Sequence, residues 1–200
     1  QITKHILFDT KHTDHIEHKI PQIARQDNTM QYKLNSLLKI KLIGSTLPIT
    51  KNGLNLERYE FCRYLRKIAY NNTSLTASVI ICNTLGHKLL IQEPVLHSLT
   101  NKITSFSQTE INSGSDISSI GTTATKIDNE WEINGIKTWG GNNWADQVIV
   151  IAKIENKIAA FLVPFGTAGV SRSDQYTLLG LKNLEAAGIT FNNARIPQEN

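Results

Sequence analysis

The hydrophobic period of this chain changes once, near Thr104, and that change limits the fold more than any single motif does. From Asp14 to about Leu99 apolar residues recur at helical spacing, whereas after Thr104 they alternate with a period of two. A 200-residue chain ordered in this way reads as α+β: an N-terminal α-helical domain over 1–103, then an antiparallel β-barrel domain over 104–197.

In the helical half, Asn55 is placed to cap a helix whose Leu56, Tyr59, Cys62, Leu65 and Ile68 form one packing face. Asn71-Asn72-Thr73-Ser74 interrupts that helix and caps the next, Leu75 to Leu85, which is apolar nearly all round and is expected to stop at Gly86. In the second half, Gly121–Lys126 is β-rich, Asp128-Asn129 turns, and Glu130–Ile133 and Ile136–Trp139 alternate around Asn134-Gly135, a type I′ hairpin signal. Further strands are expected at Gln147–Lys153, Ile158–Pro164, Gly188–Asn192 and Ala194–Pro197, and short strands without intervening helices argue for a barrel or sandwich.

The totals exclude some functions. With 40% hydrophobic and 19% charged residues the chain can bury a core. The net charge of +4 is scattered among acids, which argues against nucleic-acid binding. The longest apolar run, around Ser78–Cys82, is too short for a membrane span. Cys62 and Cys82 are expected to be buried free thiols in a reducing intracellular compartment, cytoplasm or mitochondrial matrix. Gln1 rather than Met opens the chain, which points to a processed or excised piece.

Four places invite a chemical reading. His12, His15 and His18 invite a metal reading, but their spacing spreads the outer pair by more than half a turn, and the expectation is a solvated helix start with no metal. His87 and His97 lack a nucleophile neighbour and read as core or surface residues. The stretch Gln108-Thr109-Glu110-Ile111-Asn112-Ser113-Gly114-Ser115-Asp116 is richer: hydroxyls beside loop N–H groups that no ladder claims suit a ring with carbonyl and imide edges, or a phosphate. The alternative is a polar loop capping its own strands. Trp139 precedes Gly140-Gly141, where backbone can approach a flat ligand and an indole can lie against it; a Trp139 in the barrel core is the competing view.

Read together, these segments resemble the acyl-CoA dehydrogenase family. The similar run comprises Gln108-Thr109-Glu110, Gly114-Ser115-Asp116, Thr122-Thr123-Ala124, Glu130–Trp139, Ala145-Asp146, Ala160–Pro164, Gly169-Val170-Ser171, Gly180-Leu181-Lys182 and Phe191 to Asn200, in matching order and spacing. The helical half is similar more loosely, through Pro48, Gly53 and the helices from Leu56 to Gly86.

The resemblance implies a flavoprotein oxidoreductase of fatty acid or lipid metabolism, binding FAD and carrying out α,β-dehydrogenation of an acyl-CoA thioester. It implies cofactor contacts at Phe106, Gln108, Thr109, Glu110, Gly114, Ser115, Trp139, Gly140 and Gly141, and a substrate contact at Ser115 as well. It also implies an electron-transferring flavoprotein, or oxygen, as acceptor, and a homo-dimer or homo-tetramer. Residues 198–200 match the start of the family's C-terminal helical domain, where its catalytic glutamate resides; none of the present residues takes that role. Where most members place Thr or Ser against flavin N5, this chain has Gly141, and the proline after Thr-Glu is Ile111. Those departures keep three alternatives open: a truncated or degenerate non-catalytic subunit or binding module, an acyl-CoA oxidase, or a flavin monooxygenase on the same fold.

Overall fold

The computed structural model describes residues 10–200, without the side chains of residues 10–15, 94, 95, 97 and 98, so the side chains of His12, His15 and His97 lie outside the described residues. Helices come first: α1 (Thr10–Arg25), α2 (Met30–Lys39), α3 (Arg58–Ala69) and α4 (Thr73–Ile80), then a π-helical stretch Ile81–His87 and the short α5 (Lys88–Leu90). A 3₁₀ segment, Pro94–Asn101, leads to strands β1 (Thr104–Ser107), β2 (Thr123–Ile127), β3 (Glu130–Gly140), β4 (Gln147–Ile154), β5 (Lys157–Pro164), β6 (Val170–Gln175) and β7 (Ala187–Pro197).

Asn72 caps α4 as expected, its side-chain oxygen accepting from the Leu75 N–H at 2.9 Å. The buried face of α3 is different from the one expected. Phe61, Tyr64 and Ile68 point inward, while Tyr59 is 76% exposed and Cys62 is exposed too. The helix starts at Arg58 behind Glu57, not behind Asn55, whose φ of +52° belongs to the preceding turn. Phe61, Tyr64 and Ile68, spaced three and four apart, share one face, and these larger side chains take the core.

Gly86 does not end the second helix either. A Cβ there would stand 2.9 Å from Thr104 Cβ, so the missing side chain lets the helix pass close over β1 and continue. Cys82 is fully buried beneath that crossing and donates to the Thr104 carbonyl at 3.2 Å, with burial pushing its thiol up to about 12. A thiol reagent should therefore modify Cys62 in the native protein and reach Cys82 only on unfolding; two fast-reacting thiols in native protein would contradict the packing.

The strands form one curled, half-barrel sheet in the order β1-β4-β2-β3-β7-β6, with β5 on β4. Most pairings are antiparallel, but β1 runs parallel to β4, Thr104 opposite Gln147, and β2 meets β4 in parallel at Thr123 and Lys153. Asp128, with φ +52°, turns β2 into β3 as expected. Asn134-Gly135 is not a hairpin: β3 runs straight through it along β7, with a bulge between Ile133 and Gly135. The reason is tertiary. Thr122 occupies the space where a Gly135 side chain would stand, and Asn134 Oδ1 accepts from the Asn193 N–H of β7 at 2.8 Å. The two strands expected over 188–197 are likewise one strand with an irregularity at Asn193, φ +49°. Strand β6 escaped the sequence because VSRSDQ shows no alternation; it is a polar, largely exposed strand at the end of the sheet.

Two cores result. Ile20, Leu34, Leu37, Ile68, Leu75 and Val79 fill the helical one, which Ile103 and Ala145 also join. Ile133, Val148, Val150, Phe161, Ile189 and Phe191 line the inside of the sheet. Ile149, facing the other side of β4, packs with Leu90, Leu96 and Leu162. Strand β4 is thus apolar on both faces and reads as a continuous apolar run. Each fully buried aliphatic side chain contributes about 1.5–3 kcal/mol.

Candidate functional site

The loop from Gln108 to Thr122 leaves β1 beside the far end of β3. Phe106 bridges to Gly141, and the Ser105 hydroxyl donates to the Gly141 carbonyl at 2.6 Å, so the end of β1 and the chain following β3 are fastened together. The Thr138 N–H donates to the Thr109 carbonyl at 2.8 Å, which sets Thr109 one residue from Trp139 across the gap. Gln108 reaches Gly114, its amide donating to that carbonyl at 3.4 Å. The structure therefore brings both sequence-predicted stretches to one place. Leu184 and Ile81 close it from below: a Cβ on Gly141 would lie 2.8 Å from Ile81 Cδ1 and 3.3 Å from Leu184 Cγ.

Within that place the residues differ in availability. Trp139 is 60% exposed, at φ +60°, and rests against Tyr176 with ring centroids 4.5 Å apart, so it is not a barrel-core tryptophan. The Thr109 and Ser115 hydroxyls form no hydrogen bond among the described residues, and Gly114 faces open space. The Ser113 N–H is not free as expected; it donates to the Glu110 carbonyl at 3.2 Å, and the Ser113 hydroxyl donates to the Asp116 carbonyl. This small Glu110–Ser113 bridge stiffens the start of the loop.

Glu110 is committed inside the protein. Its Oε1 accepts from Lys137 Nζ at 2.7 Å, from the Thr122 hydroxyl at 2.6 Å and from the Thr122 N–H at 3.0 Å, while Oε2 accepts from the Gly121 N–H at 2.7 Å. Burial pushes its carboxyl up, but Lys137, Thr122 and Gly121 together outweigh burial and hold it at about 2. Lys137 is fully buried; burial draws its ammonium below the ordinary lysine range although Glu110 opposes this. The pair is ionised, and both Glu110 oxygens already accept hydrogen bonds from within the protein.

An exposed indole, two uncommitted hydroxyls and the open Gly114 fit a flat ring with a hydrogen-bonding edge, whereas Gly140 and Gly141 are buried against Ile189, Ile81 and Leu184. Sequence reasoning passed over Tyr176, Thr122 and Lys137. Lys137 did carry a signal: it shares the inward parity of Ile133 on a half-buried strand, and a charge there demands a partner. A separate cleft of about 500 Å³ beside Leu96, Trp131 and Phe161 is lined by none of the expected site residues. Among the described residues there is no cluster of three or more metal-ligating side chains, and no helix long and apolar enough to cross a membrane.

Known proteins resemble this chain across both its helices and its strands. Residues 105–194 match the family model described as acyl-CoA dehydrogenase, middle domain. The chain is 37% identical over 199 residues to the short-chain specific acyl-CoA dehydrogenase, mitochondrial, of Rattus norvegicus, covering 90% of this chain and 48% of that one. It is 29% identical over 194 residues to benzylmalonyl-CoA dehydrogenase of Aromatoleum aromaticum, covering 88% and 51%. A crystal structure of an FAD-dependent dehydrogenase shares the fold with a TM-score of 0.83 at 22% identity, over 94% of this chain and 56% of that one. The chain thus spans about half the length of the curated relatives it matches. The family-model match over residues 105–194, together with 37% identity running through helices and strands alike, places the chain in the acyl-CoA dehydrogenase family.

Proposed function

We infer that this chain is the flavin- and acyl-CoA-holding part of an FAD-dependent acyl-CoA dehydrogenase. The observation that carries the reading is the juxtaposition of Thr109 and Trp139, an uncommitted hydroxyl and an exposed indole joined by the Thr138–Thr109 hydrogen bond, in a chain 37% identical to a short-chain acyl-CoA dehydrogenase. Thr109 and Ser115 would hold polar edges of FAD, with Ser115 also meeting the acyl-CoA; Trp139 would cover a ring face, beside Gly140 and Gly141. FAD, when bound, supplies the acceptor for a hydride leaving the acyl chain. Glu110, ion-paired and held at about 2, is a poor proton acceptor, so the base for α-proton removal lies elsewhere in the protein. An electron-transferring flavoprotein would take the electrons, and a homo-dimer or homo-tetramer is the expected assembly.

One observation favours a second reading. Gly141 is walled by Ile81 and Leu184, so no side chain at this position can reach a ligand without displacing them. A non-catalytic binding module would tolerate that loss, and an oxidase would use a differently tuned flavin. The deciding measurement is a visible absorption spectrum of the natural full-length polypeptide before and after anaerobic addition of acyl-CoA thioesters of graded length. A flavin band that bleaches supports the dehydrogenase, and rapid reoxidation in air turns the reading to an oxidase. A protein without flavin overturns the enzymatic reading.

A further inference from the structure

We propose that Lys137 is a positioning residue for the cofactor site: paired with Glu110, its buried ammonium fixes where Thr109 and the loop of residues 111–120 stand, and neither side chain touches the ligand. The proposal rests on the flavin reading above. It reassigns Glu110, which the family resemblance alone places among the cofactor contacts.

The geometry is that of a clamp on both ends of one loop. Lys137 reaches inward from β3 and donates to the Gln108 carbonyl at 3.0 Å and to Glu110 at 2.7 Å, gripping the residues on either side of Thr109. Glu110 then carries the grip to the far end of the loop, through the N–H groups of Gly121 and Thr122 and the Thr122 hydroxyl. Between those ends the loop is open to solvent: Ile111 is 87% exposed, and Gly114 has open space around it. A loop with an exposed tip and a fixed base presents its hydroxyls in one place without being buried itself.

Stability does not account for the pair. A buried ion pair gains little over well-packed apolar side chains of the same volume, because desolvation offsets most of the Coulomb attraction. What an apolar pair cannot do is satisfy the Gln108 carbonyl and two loop N–H groups at once. Lys137 links Gln108, Glu110 and β3, and Glu110 links that node to Gly121 and Thr122, so removing either charge loosens the loop base.

The test compares wild type, Lys137→Met and Glu110→Gln in the full-length polypeptide stripped of flavin, by amide hydrogen exchange and by FAD titration. In Lys137→Met, exchange at residues 108–122 should quicken by about tenfold or more while α3 stays protected, and FAD binding should weaken by about tenfold or more. Glu110→Gln keeps the shape and part of the hydrogen bonding, so it should shift both readouts in the same direction by less; it decides the matter if Lys137→Met does not fold. FAD affinity within about twofold of wild type, or exchange that quickens equally along the whole chain, overturns the positioning role. A wild type that takes up no FAD brings down the flavin reading and the cofactor role with it, while unchanged loop exchange in the variants brings down the clamp alone.

Discussion

Gly135→Ala is expected to destabilise the protein by about 3 kcal/mol, visible as a fall of several degrees in the thermal midpoint. Gly135 has φ +153°, which L side chains rarely adopt, and a Cβ built on it runs into Thr122 Oγ1 and stands 2.7 Å from Thr122 Cα. The obstacle includes the Thr122 Cα and Cβ as well as its hydroxyl, so turning the short side chain aside does not clear it. Relief requires either β3 to lose its bulge or Thr122 to withdraw, and Thr122 supplies two of the four hydrogen bonds on Glu110. A variant melting within about 0.5 kcal/mol of wild type would show that the bulge yields freely and that Asn134-Gly135 is not fixed by Thr122.

Acid should unfold the protein through Glu110 before the other carboxylates matter as much. Its folded carboxyl titrates at about 2 against an ordinary value of 4.5. A depressed pKa means that the ionised form is the one the fold stabilises. The contribution is therefore fully present above about pH 4.5 and is lost as pH falls through about 2. Glu17 and Asp116 are also held below their ordinary values, Glu17 chiefly by the Lys67 hydrogen bond and Asp116 by Ser118. Both are more open to water and should add only a shallow slope. Denaturant titrations from about pH 7 to about pH 2 should lose stability steeply in wild type, and Glu110→Gln should start lower and flatten that acid arm. An unchanged arm in Glu110→Gln would place the acid sensitivity elsewhere.

Much of the candidate site was legible from the chain because its parts are local. Thr109, Gly114 and Ser115 lie in one polar loop, and Trp139 before Gly140-Gly141 is a strand ending in small residues; no long-range information is needed to mark either. What local pattern could not show is which polar group is already spoken for. Glu110 and Ser113 read as available, yet one is bound to Lys137, Thr122 and Gly121, and the other to Glu110 and Asp116. Their partners are separated by up to 27 positions. Tyr176, the neighbour of Trp139, comes from the far side of β6 and left no pattern at all.

The sequence by itself determined that helices precede a curled sheet, because a change of hydrophobic period is a property of neighbouring residues and survives any packing. It also determined the family, through ordered segments that keep their spacing. Only the tertiary structure decided how those segments are used. Asn134-Gly135 became a bulge and not a turn because β7 pairs with both sides of it, and Gly86 became a crossing point and not a helix end because Thr104 packs beneath it. In each case a glycine permits several backbone shapes, and the residue packed against it, remote in sequence, selects one.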